Sequence, residues 1–493
     1  MSTVPSSRSL QLYNTLSRGK QVFQPLEPGK VRLYVCGPTV YDDAHLGHAR
    51  CYITWDVLFR LLTGLGYQVT YARNVTDVDD KILNRAKALG QTPQQVAQAN
   101  YQSFLQDMEA LHVLPPTVEP KATEHIEPMQ QGIRALLGKG YAYTTPTGTV
   151  YYRTRRFANY GKLSGKPLDD LRSGARVEVD PHKEDPLDFA LWKDVPPDDL
   201  LTFDFPGVCA HGRPGWHMEC SAMNRAIFGD QIDIHAGGAD LVFPHHENEI
   251  AQSEAWTEAE PFARYWMHNG FVNVSGEKMS KSLGNFSTVK RVLERYDANT
   301  IRYFLLSHHY RMPVDFNDEA LQGAKNRMVK IERALRQAHE LLLRQDHAAL
   351  SPSALLPPEG QAETPLDALL ETLCDDLNTP QALAVFDGYL KDLNIALEQG
   401  NRAVTQCCYQ QVLAASQWLG LVYPQLLPQE SAAKSEPTEL TQTVLENIQK
   451  RVEAKANKDW ATADAIRDEL KTKYGVQLLD RKDGTTDWEF VNG

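Results

Sequence analysis

The feature that most constrains the fold is a strand, a helix and a second strand within about 40 residues near the amino terminus. Residues 31–36 (VRLYVC) form a short apolar run before a Gly-Pro pair, which is typical of a buried strand. Residues 47–62 have the apolar spacing of a helix, and residues 67–73 (YQVTYAR) have the composition of another strand. Strands joined through a helix in this way pair in parallel, so the pattern predicts a βαβ unit of a Rossmann-like sheet.

The α/β pattern resumes after a long interruption. Residues 231–235 (QIDIH) are predicted to form a strand that ends at a Gly-Gly pair, and a helix is expected from about Pro244. The first domain is therefore predicted to span residues 1–315. It carries an insertion at about 115–230, which includes a hairpin-like segment at 141–153.

The middle of the chain is predicted to be an α-helical bundle over residues 316–425. One apolar stripe of a long helix recurs at alternating spacings of three and four residues, at Leu321, Ala324, Met328, Ile331, Leu335, Ala338 and Leu342. The window 321–345 carries six Lys and Arg against two Glu. This basic stretch fits either a solvated helix face or a surface that contacts phosphates.

The carboxyl-terminal residues 436–493 are predicted to form a small mixed α/β domain. Helical patterns cover 439–455 and 459–473, and a hairpin with Asp483-Gly484 at its turn follows them. Weakly patterned, Pro-rich stretches precede the domain and interrupt the bundle, and both are predicted to be linkers or long loops: 346–365 and 424–437.

Composition excludes several classes of protein. The chain has 493 residues, with 51 Lys and Arg against 63 Asp and Glu, and a net charge of −12. Apolar residues make up 42%, which argues against global disorder, and no run of 18 apolar residues predicts a membrane span. The amino terminus lacks the apolar run of a signal peptide, and the seven scattered cysteines are not a disulfide framework. A reducing cytoplasm is therefore expected.

The first chemical motif lies between the first predicted strand and the first predicted helix. It runs from Cys36 through His45-Leu-Gly47-His48. A helix start offers free N–H groups and a positive dipole end to an anion, and two imidazoles can donate to phosphate oxygens. A glycine between the histidines lets a nucleotide approach the backbone. Taken alone, a four-residue match of this kind is weak.

The second motif is Lys278-Met-Ser-Lys281-Ser282, within the glycine-flanked segment 275–284. Two lysines in a polar loop can follow phosphate charge as it develops in a transition state, although an ordinary solvated turn has the same composition. The pair of motifs, in this order and about 230 residues apart, resembles the two nucleotide-binding signatures of class I aminoacyl-tRNA synthetases.

The third feature is a concentration of metal-ligand residue types. Six of the fifteen histidines lie between His211 and His268, where a uniform spread would put about two. Cys220 lies in GWHMECSAM, and His245 and Glu249 share a helix face in the segment FPHHENEIA. Cysteine, histidine and carboxylate are all zinc ligands. Hydrogen-bonded core histidines and inert buried cysteines are the alternative.

Longer blocks give a closer resemblance. The segments YVCGPTVYDDAHLGHAR, NVTDVDDKI, RPGWHMECSAM, DIHAGGADLVFPHHENEIAQS, EKMSKSLGNF, IRYFLLSHHYR and DDLNTPQA resemble bacterial-type cysteinyl-tRNA synthetases over nearly the whole chain. The resemblance implies one Zn²⁺ held by residues that match the family's ligands: Cys36, Cys220, His245 and Glu249. A zinc-bound thiol would then separate cysteine from serine without an editing site.

The same resemblance implies ligation of L-cysteine to tRNA(Cys) with ATP and Mg²⁺, through cysteinyl-adenylate. His45 and His48 match catalytic residues at the ATP phosphates, together with the catalytic lysines Lys278 and Lys281. The nucleotide-binding set is Gly37, Thr39, His45, Gly47, His48 and Lys281. The amino-acid pocket is implied at Thr76, Trp216, His235 and Asp240, with a plain core role as the alternative for Trp216.

The tRNA partner is assigned to the rest of the chain. The tail block around Trp460 and Arg467 resembles the family's anticodon-binding tail, and an exposed ring suits a flipped-out base. A tryptophan packed in a small core is the alternative. Family resemblance also implies a monomer without a membrane partner.

One departure from the family pattern and two rival functions remain at the level of sequence. Residues 206–211 (PGVCAH) depart from the family pattern, and they add Cys209 and His211 as further candidate ligands. A cysteine ligase of mycothiol synthesis shares the active-site motifs, but it should lack the anticodon-binding tail. A non-catalytic tRNA-binding paralogue should have lost phosphate-loop or metal residues, which are all present here.

Overall fold

The computed structural model describes residues 9–166, 180–274, 277–278, 288–343 and 366–423, and parts of the tail: 426, 447, 450–451, 454, 459–474, 476–480 and 486–490. Residues cluster into two compact units. One contains residues 1–348 and 352–424, and the other contains 349–351 and 425–493. The helical bundle and the sheet domain therefore belong to one compact unit. The predicted domain bounds, 1–315, 316–425 and 436–493, remain a prediction.

Sixteen strands are present among the described residues. They are β1 (Gln11–Asn14), β2 (Gly19–Val22), β3 (Lys30–Val35), β4 (Gln68–Arg73), β5 (Ala142–Thr144), β6 (Val150–Tyr152), β7 (Phe189–Asp194), β8 (Phe203–Phe205), β9 (Cys209–Pro214), β10 (Ile232–Gly238), β11 (Ala263–Asn269), β12 (Val272–Val274), β13 (Glu277–Lys278), β14 (Val314–Phe316), β15 (Val476–Asp480) and β16 (Thr486–Phe490).

Thirteen α-helices accompany them in the same part of the chain. They are α1 (Leu46–Gly64), α2 (Asp80–Leu89), α3 (Pro93–Ala110), α4 (Ile126–Gly138), α5 (Trp216–Phe228), α6 (Glu247–Thr257), α7 (Val289–Leu293), α8 (Ala298–Leu306), α9 (Asp318–Leu343), α10 (Asp367–Cys374), α11 (Thr379–Glu398), α12 (Arg402–Leu419) and α13 (Trp460–Tyr474). No helix of the described residues is long and apolar enough to cross a bilayer.

The central sheet has four parallel strands in the order β11–β10–β3–β4. The predicted βαβ unit is confirmed as β3, α1 and β4. The chain leaves β3 through α1 toward one edge and leaves β10 through α6 toward the other. Parallel sheets bind ligands at such a switch point, beyond the carboxyl ends of the two neighbouring strands. The predicted helix near Pro244 is α6, and the chain kinks shortly before it at Phe243, whose backbone is extended with φ −140° and ψ 132°.

Helix α1 lies against this sheet and carries much of the core. It is buried on nearly all sides, including the fully buried Trp55. Its buried Asp56 is paired: the Arg302 guanidinium donates to the Asp56 carboxylate at 2.5 Å and to the Leu419 carbonyl at 3.0 Å. Because Leu419 ends α12, this side chain joins the sheet domain to the helical bundle.

The insertion between β4 and β10 is a mixed subdomain. Helices α2 to α5 surround an antiparallel sheet in the order β5–β6–β7–β9–β8. The predicted hairpin at 141–153 is confirmed as β5 and β6. Buried aromatic rings fill the space under the sheet, and Trp192 and Phe205 meet edge to face at 5.1 Å.

The bundle consists of α9 to α12, as the apolar pattern predicts. All seven stripe residues of α9 are buried, and the basic residues Lys330, Arg333 and Arg336 are exposed. Arg327 instead pairs with Asp387 of α11. The predicted linkers lie almost wholly outside the described residues.

The tail unit contains α13 and the antiparallel pair β15 and β16. These elements confirm the predicted second tail helix and the hairpin. The turn residues Asp483 and Gly484, and most of the predicted helix 439–455, lie outside the described residues.

Candidate active site and metal centre

The segment between β3 and α1 forms one wall of the site. Gly37 is required there, because a Cβ atom on it would lie 1.5 Å from the Asn74 carbonyl oxygen. Its N–H donates to the Asn74 Oδ1 atom at 2.8 Å. Asn74 directly follows β4. Its side chain therefore joins the carboxyl end of β4 to the backbone that follows the neighbouring strand β3.

The two histidines of the first motif cap helix α1. The Gly47 N–H donates to His45 Nδ1 at 3.0 Å, and the His45 N–H donates to His48 Nδ1 at 3.2 Å. With Nδ1 accepting, each neutral ring carries its proton on Nε2 and presents a donor. The rings stack at 3.8 Å. Together with the helix start, they can supply hydrogen bonds to an anion.

A cavity of about 360 Å³ opens beside this segment, beyond the carboxyl end of β3. Eight residues predicted from the sequence line it: Cys36, Gly37, Thr39, His45, Gly47, His48, Trp216 and Asp240. The loop after β11 provides another wall, through Asn269 to Val272. The predicted nucleotide segment and part of the predicted amino-acid pocket therefore share one cavity.

Four predicted metal ligands lie close together, and one of them, Cys36, also lines this cavity. The ligand atoms of Cys36, Cys220, His245 and Glu249 all lie within 4.8 Å of one another, and all four side chains are buried. The two sulfur atoms are 4.0 Å apart, and His245 Nε2 is 3.1 Å from Glu249 Oε1. A tetrahedral zinc ion with Zn–S bonds of about 2.3 Å separates two thiolates by about 3.8 Å, so the donor set fits zinc.

A second donor set overlaps the first. Cys36 and Glu249 also lie within reach of His235 and His246. The Cys36 sulfur is 3.2 Å from His246 Nε2, and His235 Nε2 is 2.8 Å from Glu249 Oε2. Among the described residues, neither set contains Cys209 or His211. Cys209 instead donates to the His211 carbonyl at 3.2 Å.

Groups outside the first set orient its members. His217 Nδ1 lies 2.9 Å from His245 Nδ1, and the Trp216 ring stacks on His245 at 4.1 Å. His235 holds the second oxygen of Glu249. Such outer hydrogen bonds fix the ring orientation and the basicity of metal ligands. His235, predicted in the amino-acid pocket, thus lies behind the cluster and stacks on Trp266 at 4.5 Å.

The buried charges of the cluster favour a cation. A hydrogen bond from Cys36 lowers the pKa of the Cys220 thiol to about 6, whereas burial raises that of Cys36. Burial opposes the ionised forms of Glu249 and His245. This effect is outweighed for Glu249 by His235 and His245, and for His245 by Glu249 and Cys220. The pKa of Glu249 falls to about 2, and that of His245 rises to about 10. Two anions therefore face one histidinium.

The sequence analysis did not identify three buried polar residues of the site, Asn74, Glu219 and His246. The Thr76 hydroxyl, predicted in the amino-acid pocket, donates to Glu219 at 3.0 Å and is contacted by the Asn74 amide at 3.4 Å. His246 contacts Cys36 and, through Nδ1, His268 at 2.8 Å. Asn74 could have been identified from its position directly after a parallel strand, because ligands bind beyond the carboxyl ends of such strands. For Glu219 and His246 the only signal was their proximity in sequence to Cys220 and His245.

The remaining predicted residues are placed only in part. Lys278 ends the short strand β13, which pairs with β12 at Asn273. Lys281 lies outside the described residues. Trp460 is the first residue of α13, and Arg467 on the same helix pairs with Asp464 at 3.1 Å.

Family models match most of the chain. The model described as the tRNA synthetases class I (C) catalytic domain matches residues 22–326, and the DALR domain model matches 369–423. A Cysteine–tRNA ligase of Thioalkalivibrio sulfidiphilus is 46% identical, over 97% of this chain and 99% of the relative. The ligase of Laribacter hongkongensis is 44% identical over the same shares of the two chains.

Solved structures share the fold at low identity. Methionyl-tRNA synthetase of Mycobacterium tuberculosis, bound by methionyl-adenylate, superposes with a TM-score of 0.56 at 16% identity. The match covers 88% of this chain and 96% of that one. The leucyl enzyme of Agrobacterium radiobacter K84, in a ternary complex with tRNA, gives 0.56 at 13% identity, covering 82% and 85%.

Proposed function

Since the chain belongs to the cysteinyl-tRNA synthetase family of class I and is a cysteine–tRNA ligase, we propose that Cys36, Cys220, His245 and Glu249 hold one zinc ion that selects the substrate. The observation that carries this proposal is that their four buried ligand atoms lie within 4.8 Å of one another, with Cys36 also lining the cavity. The first donor set is preferred over the second because it offers two sulfur ligands and because His217 and His235 support it from outside.

The reaction has two steps. The carboxylate of L-cysteine attacks the α-phosphorus of ATP, which forms cysteinyl-adenylate and releases pyrophosphate. The 2′-hydroxyl of the terminal adenosine of tRNA(Cys) then attacks the adenylate carbonyl, and AMP leaves. Little covalent help is required of the protein in either step, because positioning and charge stabilisation dominate phosphoryl chemistry of this kind.

His45 and His48 are assigned to the phosphates of ATP, which enters with Mg²⁺. Their Nε2 donors and the start of α1 support this role. Gly47 lets the nucleotide approach the backbone closely, and Gly37 and Thr39 line the cavity around it. Lys281, with Lys278 in support, is assigned to the charge that develops on the leaving pyrophosphate.

Bound zinc would offer a position that a thiol fills as thiolate and that a harder, far less acidic hydroxyl fills poorly. The protein orients the rest of the amino acid. Trp216 and Asp240 line the cavity. Thr76 acts through the buried Glu219, and His235 through Glu249. We assign these two as positioning residues.

The tRNA is assigned to the bundle and the tail. The exposed basic residues of α9 suit the phosphate backbone, and Trp460 with Arg467 suits an anticodon base. We further propose that the enzyme works as a monomer in the cytoplasm, with no membrane partner.

The decisive experiment measures two activities on the same metal-loaded protein. Cysteine-dependent exchange between ATP and labelled pyrophosphate reports the first step, and acid-precipitable labelled cysteine on bacterial tRNA reports the second. We expect both pyrophosphate exchange and tRNA charging with cysteine, and neither activity with serine. Protein stripped of metal, and the Cys220→Ala variant, should lose the preference for cysteine. Full discrimination by either would overturn the zinc assignment.

The Lys281→Ala variant serves as the matched test of the nucleotide assignment. Loss of one charge contact in the transition state should slow exchange by about 10²- to 10³-fold. Cysteine should still bind, as measured by calorimetry on the metal-loaded variant, and unchanged exchange would contradict the role of Lys281. Exchange without charging would instead favour a small-amine acceptor such as an amino-sugar, and absence of both would favour a non-catalytic paralogue.

A further inference from the structure

The chain that follows the lysine motif is attached to the chain that carries the motif histidines. Thr288, the first described residue after the motif, forms an antiparallel bridge with His45. The next residue, Val289, donates its N–H to the Ala44 carbonyl at 2.9 Å. Two segments separated by more than 240 residues in sequence therefore run side by side at the point where α1 begins.

A pair of charged side chains reinforces this contact. Lys290 Nζ donates to Asp43 Oδ1 at 2.9 Å. The same oxygen accepts a hydrogen bond from the Ser103 hydroxyl of α3, also at 2.9 Å. The Lys290 hydrogen bond keeps the pKa of the Asp43 carboxyl low, and Asp43 raises that of Lys290, so both remain ionised near neutral pH.

We propose that Asp43 and Lys290 are a positioning pair for adenylate formation: they fix the end of the lysine-motif chain against the histidines that face ATP. The inference rests on the proposed function, in which the two motifs act on the same phosphates. Neither side chain lines the cavity, so the pair acts through the backbone of its neighbours. His45 is two residues from Asp43, and Thr288 is two residues from Lys290.

Geometry, rather than stability, is what this pair can control. Both side chains are nearly half exposed, and ion pairs of that kind contribute little to the stability of the fold. A displacement of about 1 Å at reacting groups can nevertheless cost about 100-fold in rate. Other charged groups face the pair from α2 and α3, namely Arg85 and Asp107. They surround Lys290 and Asp43 without replacing the direct contact.

The test is a double-mutant cycle on the full-length, metal-loaded enzyme, read by pyrophosphate exchange. We expect Lys290→Met and Asp43→Asn each to lower kcat by about 10-fold or more, with KM for cysteine unchanged. The double variant should lose no more than either single variant, because both remove the same contact. Lys290→Arg, which keeps the charge and the reach, should retain kcat within about threefold.

A second ion pair provides the matched control. Lys30 and Glu27 are 2.6 Å apart, have similar exposure and lie at the amino end of β3, whereas the cavity lies beyond its carboxyl end. Lys30→Met and Glu27→Gln should leave kcat unchanged, and all variants should melt within a few degrees of the wild type.

Each other outcome is decisive. Additive losses in the double variant, equal losses in the control pair, or a kcat within twofold for Lys290→Met would overturn the inference while leaving the enzyme's function intact. Failure of the wild type to catalyse cysteine-dependent exchange would instead overturn the proposed function, and this inference with it.

Discussion

Asp107 is a buried carboxylic acid that the folded chain leaves partly unsatisfied. It lies on α3 with 3% of its surface exposed, and its Oδ2 atom has no hydrogen-bond partner among the described residues. Burial raises its pKa from 3.8 to about 6, the nearby Lys290 opposes the shift, and Asp43 adds to it. A buried polar atom without a partner costs free energy, so this residue lowers the stability of the fold once it ionises.

The stability cost should depend on pH in a defined direction. Because the folded state holds the Asp107 proton more tightly than the unfolded state, stability falls as pH rises from about 4 to about 6 and stays low above that. We expect Asp107→Asn to raise Tm by about 2 °C or more at pH 8. The gain should shrink toward pH 5, as followed by thermal unfolding at several pH values.

The exposed Asp204 provides the control. Asp204→Asn should change Tm little at any of these pH values. A gain for Asp107→Asn that is equal at pH 5 and pH 8 would contradict the burial argument.

At the scale of elements, two glycines within helices differ in what surrounds them. Gly64, near the end of α1, lies against the ring of Trp418 in α12, and a Cβ atom would be 2.1 Å from that ring. Gly323 lies in α9, where a Cβ atom would have no neighbour within 4 Å among the described residues. One glycine permits a contact between the sheet domain and the bundle, and the other only adds flexibility to a helix.

The two glycines should therefore respond oppositely to the same change. Gly64→Ala overpacks the contact between helices and should destabilise the protein by about 1–3 kcal/mol. Gly323→Ala should stabilise it by about 0.5–1 kcal/mol, because alanine loses less backbone entropy in a helix. Differential scanning calorimetry of both variants checks the signs. An increase in Tm for Gly64→Ala would show that Trp418 moves aside freely.

The sequence predicted elements better than it predicted the contacts between them. Strand β3, helix α1 and the stripe of α9 were readable because local apolar spacing reports burial on one face. The cluster could be assigned only through resemblance, since Cys36 and Cys220 are 184 residues apart and no local pattern encodes their distance. The competing histidines, His235 and His246, became visible only once β10 and α6 were placed beside β3.

At the scale of the whole molecule, the two compact units are assigned to different parts of the proposed function, amino-acid activation and tRNA recognition. The described residues of the cavity and of the metal cluster all belong to the unit that contains the sheet and the bundle. The other unit contains α13 and the hairpin of β15 and β16. Amino-acid activation should therefore be insensitive to changes in the tail, whereas tRNA charging should not be.

Trp460→Ala is the variant that separates the two activities. Loss of a ring that stacks on a base costs about 1–3 kcal/mol, so kcat/KM for tRNA should fall by about 5- to 150-fold. Pyrophosphate exchange should be unchanged, and Trp460→Phe should recover part of the charging activity. Charging by Trp460→Ala at the wild-type efficiency would contradict the assignment of the tail to the anticodon.

The overlap between the two donor sets limits what the cluster can carry. Cys36 and Glu249 belong to both sets, so filling one set removes half of the other. Among the described residues, the two sets could therefore not both hold an ion with four ligands at the same time. Ions that prefer sulfur and ions that prefer nitrogen would compete for the same two shared side chains. The metal that the cell supplies would then decide which pair is left uncoordinated, His235 with His246 or Cys220 with His245.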